Sequence, residues 1–208
     1  MKLTIIPFLL ISIIVLSCKQ NPNKQIDEGT VIKGQIYHSD EVGWTIVIPE
    51  GWKISDKDIV EANEEKGKAL LEKTSGKEID VKGLKHLISF QKDKFNNLAA
   101  TTEPFKEDHP GQYEESVKDV SRLIYDAYKS QGIKTDTSSG METVNGLPFH
   151  VFYSTIHAPD GKVILHQLLY SRLVNDLDFG VNINYNNEED QKTLLDAWRD
   201  SKFEGKLQ

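Results

Sequence analysis

The chain has one cysteine, Cys18, among its 208 residues. A single cysteine excludes an intrachain disulfide and any cysteine-rich zinc site. It does not assign a compartment, because disulfides are optional even where the surroundings are oxidising. Basic charge is also scarce: Lys plus Arg number 25 against 32 for Asp plus Glu, a formal net charge of -7. Such a surface repels phosphate backbones, and no Lys/Arg cluster is interleaved with aromatics, so nucleic-acid binding is not expected. Catalytic signatures are missing as well. Gly76-Lys77 is followed by Glu78, with Leu71 five residues before Gly76, so it is no phosphate loop. No GxGxxG, HExxH or GxSxG occurs. No cofactor is implied. Internal repeats, low-complexity stretches and a second linker are absent too.

The hydrophobic residues are 38% and the charged ones 27%, values of a globular chain. One long apolar run stands out. Lys2 precedes Leu3 to Leu16, which is interrupted only by Thr4, Pro7 and Ser12. The run falls short of the ~20 residues of a membrane span and fits the hydrophobic region of a secretory leader. It ends in Val15-Leu16-Ser17-Cys18. This tetrad resembles a bacterial lipobox: an aliphatic residue three before the cysteine and a small one just before it. The resemblance implies diacylglyceryl transfer to the Cys18 thiol and cleavage before Cys18. Physically, each buried methylene contributes ~0.8 kcal/mol and two or three chains anchor stably. The thiol is the nucleophile that acylation needs, which explains a lone cysteine at this position. Residues 1–17 then form the signal peptide, residues 18–34 a polar tether, and residues 35–208 one globular domain. No acidic run follows Cys18, so the expected address is the outer membrane, facing the periplasm.

Within the domain, Trp44, Ile46 and Ile48 alternate with Thr45 and Val47 before Pro49-Glu50-Gly51, as in a strand ending in a turn. A helix is expected over 56–73 and a strand over 84–92, with 95–105 either irregular or a short strand. Tyr113, Val117, Val120, Ile124 and Ala127 make one apolar stripe, placing a helix over 110–131 between Pro110 and Gly132. Then comes a meander: strands near 134–144 and 147–157 around Asn145-Gly146, a hairpin signal, then 162–173 and 178–185. A last helix over 188–202 has Leu194, Leu195 and Trp198 on its inner face, with Asn186, Asn187 and the acidic residues behind them as capping chemistry. Antiparallel strands flanked by helices define an α+β domain with helices packed on a sheet. The order of elements and the PEGW turn resemble the PsbP-like fold, an α/β/α sandwich found in many small bacterial lipoproteins. The resemblance implies a fold and leaves the function open.

Side-chain alternation divides the meander into two faces. One carries Phe149, Val151, Tyr153, Ile164, Leu168, Tyr170, Phe179, Val181, Ile183 and Tyr185 and reads as core. The other mixes Phe152, Ile156, Val163, Leu165 and Leu169 with His150, Gln167, Ser171, Asp178, Gly180, Asn182 and Asn184. Covering all of it with helices would bury polar groups at ~1–3 kcal/mol for each left unpaired. Partial cover, leaving a polar groove, is therefore expected. In that groove His150, Gln167, Ser171, Asp178, Asn182 and Asn184 are the candidate ligand-binding residues. His157 and His166 share the other face roughly 10–14 Å apart, too far for one zinc, so no metal site is expected.

Three functional readings follow. The first is a lipid-anchored, non-enzymatic envelope module that binds a protein partner. The second is an envelope hydrolase using Ser171, His150 and Asp178 on the polar face. The third is a carrier of a small apolar ligand held between sheet and helix. Membrane attachment through Cys18 is common to all three. Cys18→Ser is expected to release the protein from membranes or to leave it as an unprocessed precursor, as read by fractionation and gel mobility; a mutant that still fractionates as a processed lipoprotein would refute the lipobox.

Overall fold

The computed structural model describes residues 30–32 and 35–204. Val15–Cys18 lies outside them, so the lipobox has no structural account here. Four short elements open the described chain: β1 (Thr30–Ile32), β2 (Ile36–Ser39), β3 (Trp44–Val47) and β4 (Lys53–Ile54). There follow α1 (Lys57–Ser75), β5 (Lys85–Gln91), β6 (Asn97–Pro104) and α2 (Gln112–Ser130). The meander is β7 (Thr135–Val144), β8 (Leu147–His157), β9 (Val163–Val174) and β10 (Leu177–Tyr185), and the chain closes with α3 (Glu188–Arg199) and β11 (Lys202–Phe203). β1 falls inside the segment read from sequence as tether.

A seven-stranded sheet, ordered β4-β5-β6-β10-β9-β8-β7, is antiparallel throughout. A second, four-stranded sheet runs β1-β2-β3-β11. The meander is as expected, and its first turn is the Asn145-Gly146 pair, with φ of 48° and 80°. Both positive angles match the twist of the strands they join. Asn175 and Asp176, at 51° and 62°, do the same between β9 and β10. The stretch 95–105 takes the second of its two readings, as a strand. It holds β6, an interior strand between β5 and β10. Its hydrophobic pattern is hidden because Asn97, Thr101 and Glu103 are polar yet buried on one face.

The two faces of the large sheet carry different layers. On the apolar face, Phe149, Tyr170, Phe179 and Val181 pack against Trp198 and Leu194 of α3 and against Tyr37, Trp44 and Ile46 of the small sheet. Trp198 is the hub. Its ring centroid lies 5.2 Å from those of Phe149 and Tyr170, and 6.1–6.4 Å from Trp44, Phe203 and Phe179. Helix α3 starts as its sequence demands, with Asn187 Oδ1 accepting from the Asp190 N–H at 2.9 Å. It ends at Arg199, short of 202, and the chain turns into β11 to pair with β3.

On the opposite face, α1 and α2 pack through Leu71, Val120, Ile124, Ala127 and Tyr128 onto Phe152, Ile156, Leu165 and Leu169. Val163 and Ile164 depart from the expected pattern. They are 48% and 44% exposed, because both sit at the hairpin end of β9, beyond either covering layer. Truncating the hub, Trp198→Ala, is expected to cost about 3–5 kcal/mol from lost burial and ring contacts, measured as a lower urea midpoint at unchanged m-value. A loss under ~1 kcal/mol would mean the small sheet is held by something else.

Candidate functional site

The polar face is built row by row by the strand register. Asn97, Asn184 and Gln167 stand opposite one another on β6, β10 and β9, and Ser154 of β8 continues the row. Two positions on in each strand is Ala99–Asn182–Leu169–Phe152, then Thr101–Gly180–Ser171–His150, then the pair Glu103–Asp178. Helix α2 lies over this lattice, with Tyr128 near its C-terminal end and Tyr113 in its first turn.

Beneath the C-terminal half of α2 the first row is a relay of amides. The Tyr128 hydroxyl donates to Gln167 Oε1 at 2.9 Å, and Gln167 Nε2 donates to Asn184 Oδ1 at 3.2 Å. Asn184 Nδ2 then donates to Asn97 Oδ1 at 2.9 Å, and Asn97 Nδ2 reaches the Lys94 carbonyl at 3.4 Å. Every donor points the same way, so each amide oxygen meets an N–H or O–H. Gln167, Asn182 and Asn184 have no solvent exposure. The groove expected from partial cover is therefore absent at these three residues. Hydrogen bonds to one another and to Tyr128 offset the burial of Gln167 and Asn184, a solution that an estimate of unpaired groups alone overlooks. Asn182, between Ala99 and Leu169, is the exception, since neither of its amide atoms finds a protein partner.

Under the first turn of α2 the face is acidic. Tyr113 donates its hydroxyl to Asp178 Oδ1 at 2.7 Å, and Glu103 stands directly across from Asp178, with its Oε2 unpartnered. Both carboxyl groups are buried. Loss of solvent pushes Asp178 up to about 7, against the hydrogen bond from Tyr113. Desolvation, then the neighbouring Asp178 and Asp80 carboxylates, push Glu103 up to about 8. Tyr113 is pushed well above the usual phenol range, first by burial and then by Asp178. Ser171 lies beside the same hydroxyl.

His150 and Ser171 are cross-strand partners and half-buried, but no hydrogen bond joins them. The ring of Tyr113 stands 5.9 Å from that of His150 while its hydroxyl is on Asp178. Tyr113 thus takes the place an acid-base pair of Asp178 and His150 would need. Burial holds His150 below the ordinary histidine range. The two other histidines of the meander are also engaged: His157 Nε2 lies 2.8 Å from Asp136 Oδ2, and His166 stacks on Tyr185. Among the described residues, no three His, Cys, Asp or Glu side chains gather as metal ligands would.

Sequence reasoning missed Glu103, Asn97 and Tyr128. The first two required β6 to be seen as a strand. Tyr128 lies one residue off the apolar stripe that ends at Ala127, so spacing gave no reason to point its hydroxyl at the sheet.

A large antiparallel sheet with two helices on one face and a helix plus small sheet on the other is the PsbP-like fold. The chain superposes on the solution structure of cyanobacterial PsbP (CyanoP) from Synechocystis sp. PCC 6803 with a TM-score of 0.52, over 85% of this chain and 96% of that one. Sequence identity is 13%, so the likeness is one of fold. No protein-family model matches the chain, and no curated protein matches its sequence.

The Glu103–Asp178 pair makes stability depend on pH with a definite sign. Unfolded, both groups titrate near ~4; folded, both hold protons up to about 7 and 8. The native state binds more protons, so this contribution is complete below pH ~4 and is lost as pH rises through 7 to 8. Lowered His150 and His166 contribute the opposite slope at lower pH. The readout is therefore the difference between the wild type and Glu103→Gln. In urea titrations from pH 5 to 9, Glu103→Gln is expected to gain on the wild type with rising pH, by on the order of a few kcal/mol. Parallel curves would refute a protonated Glu103.

Proposed function

We propose that this protein is a lipid-anchored component of the bacterial cell envelope, held through Cys18 to the periplasmic side of the outer membrane, where its PsbP-like domain binds a partner and performs no chemistry of its own. One observation carries the non-enzymatic part. On the polar sheet face Gln167, Asn182, Asn184 and Asp178 are buried, half-buried Ser171 and His150 share no hydrogen bond, and Tyr113 donates to Asp178. A hydrolase would need Ser171 and His150 within hydrogen-bond reach and open to substrate, with donors for the oxyanion. The anchor is supported by Val15-Leu16-Ser17-Cys18 and by the apolar run before it. Among the described residues, no helix is long and apolar enough to cross a membrane.

Two measurements on the native protein separate the parts of this reading. Mass spectrometry should find the mature N-terminal peptide beginning at an acylated Cys18. A fluorophosphonate probe, which labels activated serines, should leave Ser171 unmodified. A free Cys18 thiol behind an intact leader would remove the anchor. Labelling that disappears in Ser171→Ala would overturn the non-enzymatic part and restore the hydrolase.

A further inference from the structure

The two edges of the large sheet are finished differently. At one, β4 is two residues long and begins with a lysine, which leaves little backbone to pair with. At the other, β7 runs ten residues, in unbroken register with β8 from Thr135↔Ile156 to Val144↔Leu147. It contains no proline, no lysine and no bulge, the devices that usually blunt such an edge. Its two charges are tied back to its own molecule. Asp136 pairs with His157, and Glu142 accepts from the hydroxyls of Tyr153 and Tyr170 and from Arg199. Between them, Thr137-Ser138-Ser139-Gly140-Met141 is uncharged and exposed. Among the described residues, no strand lies on its outer side. The row of outward N–H and C=O groups extends over ~34 Å.

Gly140 indicates what pairs there. Its φ is not positive, and an added Cβ would meet Tyr153 Cε2 at 3.7 Å, an ordinary contact. Neither its backbone conformation nor the packing inside this molecule demands a glycine. Glycine within a strand often marks the place where another backbone comes close. We propose that β7 is a docking edge for a second copy of this chain, paired antiparallel about a two-fold axis through Gly140, so that the two large sheets become one.

The register is self-complementary. A two-fold axis perpendicular to the sheet keeps each face on its own side, so it sets Thr137 opposite Thr143, Ser138 opposite Glu142 and Ser139 opposite Met141. A Thr–Thr hydroxyl pair of this kind is favourable across strands. The neighbouring two-fold register, centred on Ser139, places Asp136 against Glu142 and is opposed by like charge. At Gly140 itself, the Tyr153 ring beside each glycine covers backbone that has no side chain of its own. A single strand edge is smaller than the ~800 Å² per partner of a standard interface, so the pair is weak in dilute solution. Tethering on a membrane, if the anchor holds, raises the local concentration to about millimolar and favours it. The pairing itself does not depend on that anchor.

Cysteine cross-linking tests the register. Directly opposite residues across an antiparallel pair have Cα atoms ~4.5–5.5 Å apart, within disulfide range. The full chain carrying Gly140→Cys, oxidised with copper–phenanthroline in isolated envelopes, should form a disulfide-linked homodimer, and so should Thr137→Cys/Thr143→Cys. Glu65→Cys on α1 and the parent chain with Cys18 alone should stay monomeric. Repeating the oxidation at ~1 mM on purified protein that carries Cys18→Ser beside Gly140→Cys separates failure of the edge from failure of the anchor: the homodimer should form there through the thiol of Gly140→Cys alone, with no lipid present. Monomer alone at that concentration, a Gly140→Cys cross-link to a different protein, or linkage through Ser138→Cys in place of Gly140→Cys would overturn the proposal.

Discussion

Two tyrosines on one helix hold the polar side of this domain closed. Tyr113 fastens the first turn of α2 to Asp178, and Tyr128, four turns later, fastens its far end to Gln167. Each such bond contributes only ~1 kcal/mol net, but leaving its buried partner bare costs ~1–3 kcal/mol. The bonds therefore act mainly by excluding alternatives. Were α2 to slide along the sheet, Asp178 Oδ1 and Gln167 Oε1 would lose their donors. Apolar contacts from Val120 and Ile124 supply the attraction, and the tyrosines fix its register.

That closure produces the electrostatics beneath it. Glu103 and Asp178 face each other on adjacent strands, and water is kept from both by the first turn of α2 and its approach. Phe105 packs edge-on against Tyr113 there, at 5.3 Å between centroids. Two neighbouring carboxylates deprived of solvent resist ionising, so the pair stays protonated close to neutral pH. Raised carboxyl groups in a cleft would suggest an acid catalyst. Here the groups lie under a roof, and Tyr113 occupies the place between Asp178 and His150 where a proton relay would need to pass. The opposite face of the sheet has the simpler task of burying apolar area, and Trp198 draws α3 and the small sheet onto it.

Much of this was legible in the chain. The strands of the meander, the Asn145-Gly146 turn, the stripe of α2, the inner face of α3 and the division of β8–β10 into two faces all rest on local period and turn chemistry, which sequence carries directly. What was hidden depended on long-range pairing. β6 has polar residues on a buried face because its neighbours are polar too, and nothing local announces that Asn97 will meet Asn184. Ile164 has the right parity for the core yet lies past the edge of α3, since parity assigns a face and not the extent of the layer above it. Counting unpaired groups suggested that polar residues would be left to solvent. The register instead aligns Asn97, Asn184 and Gln167 so that each satisfies the next. β2 and β11, four and two residues long, are too short for any period to show.

The account stands on the polar face being sealed in the folded protein. The side-chain amide protons of Gln167, Asn184 and Asn97 report on that seal, and their exchange with deuterated solvent can be followed by NMR. Exchange slowed toward the rate of global unfolding, together with the backbone amides of β10, is the predicted result. Amides on Gln167 and Asn184 that exchange as fast as those of exposed Asn175, while β10 stays protected, would show that solvent enters beneath α2 and that the face is a groove after all.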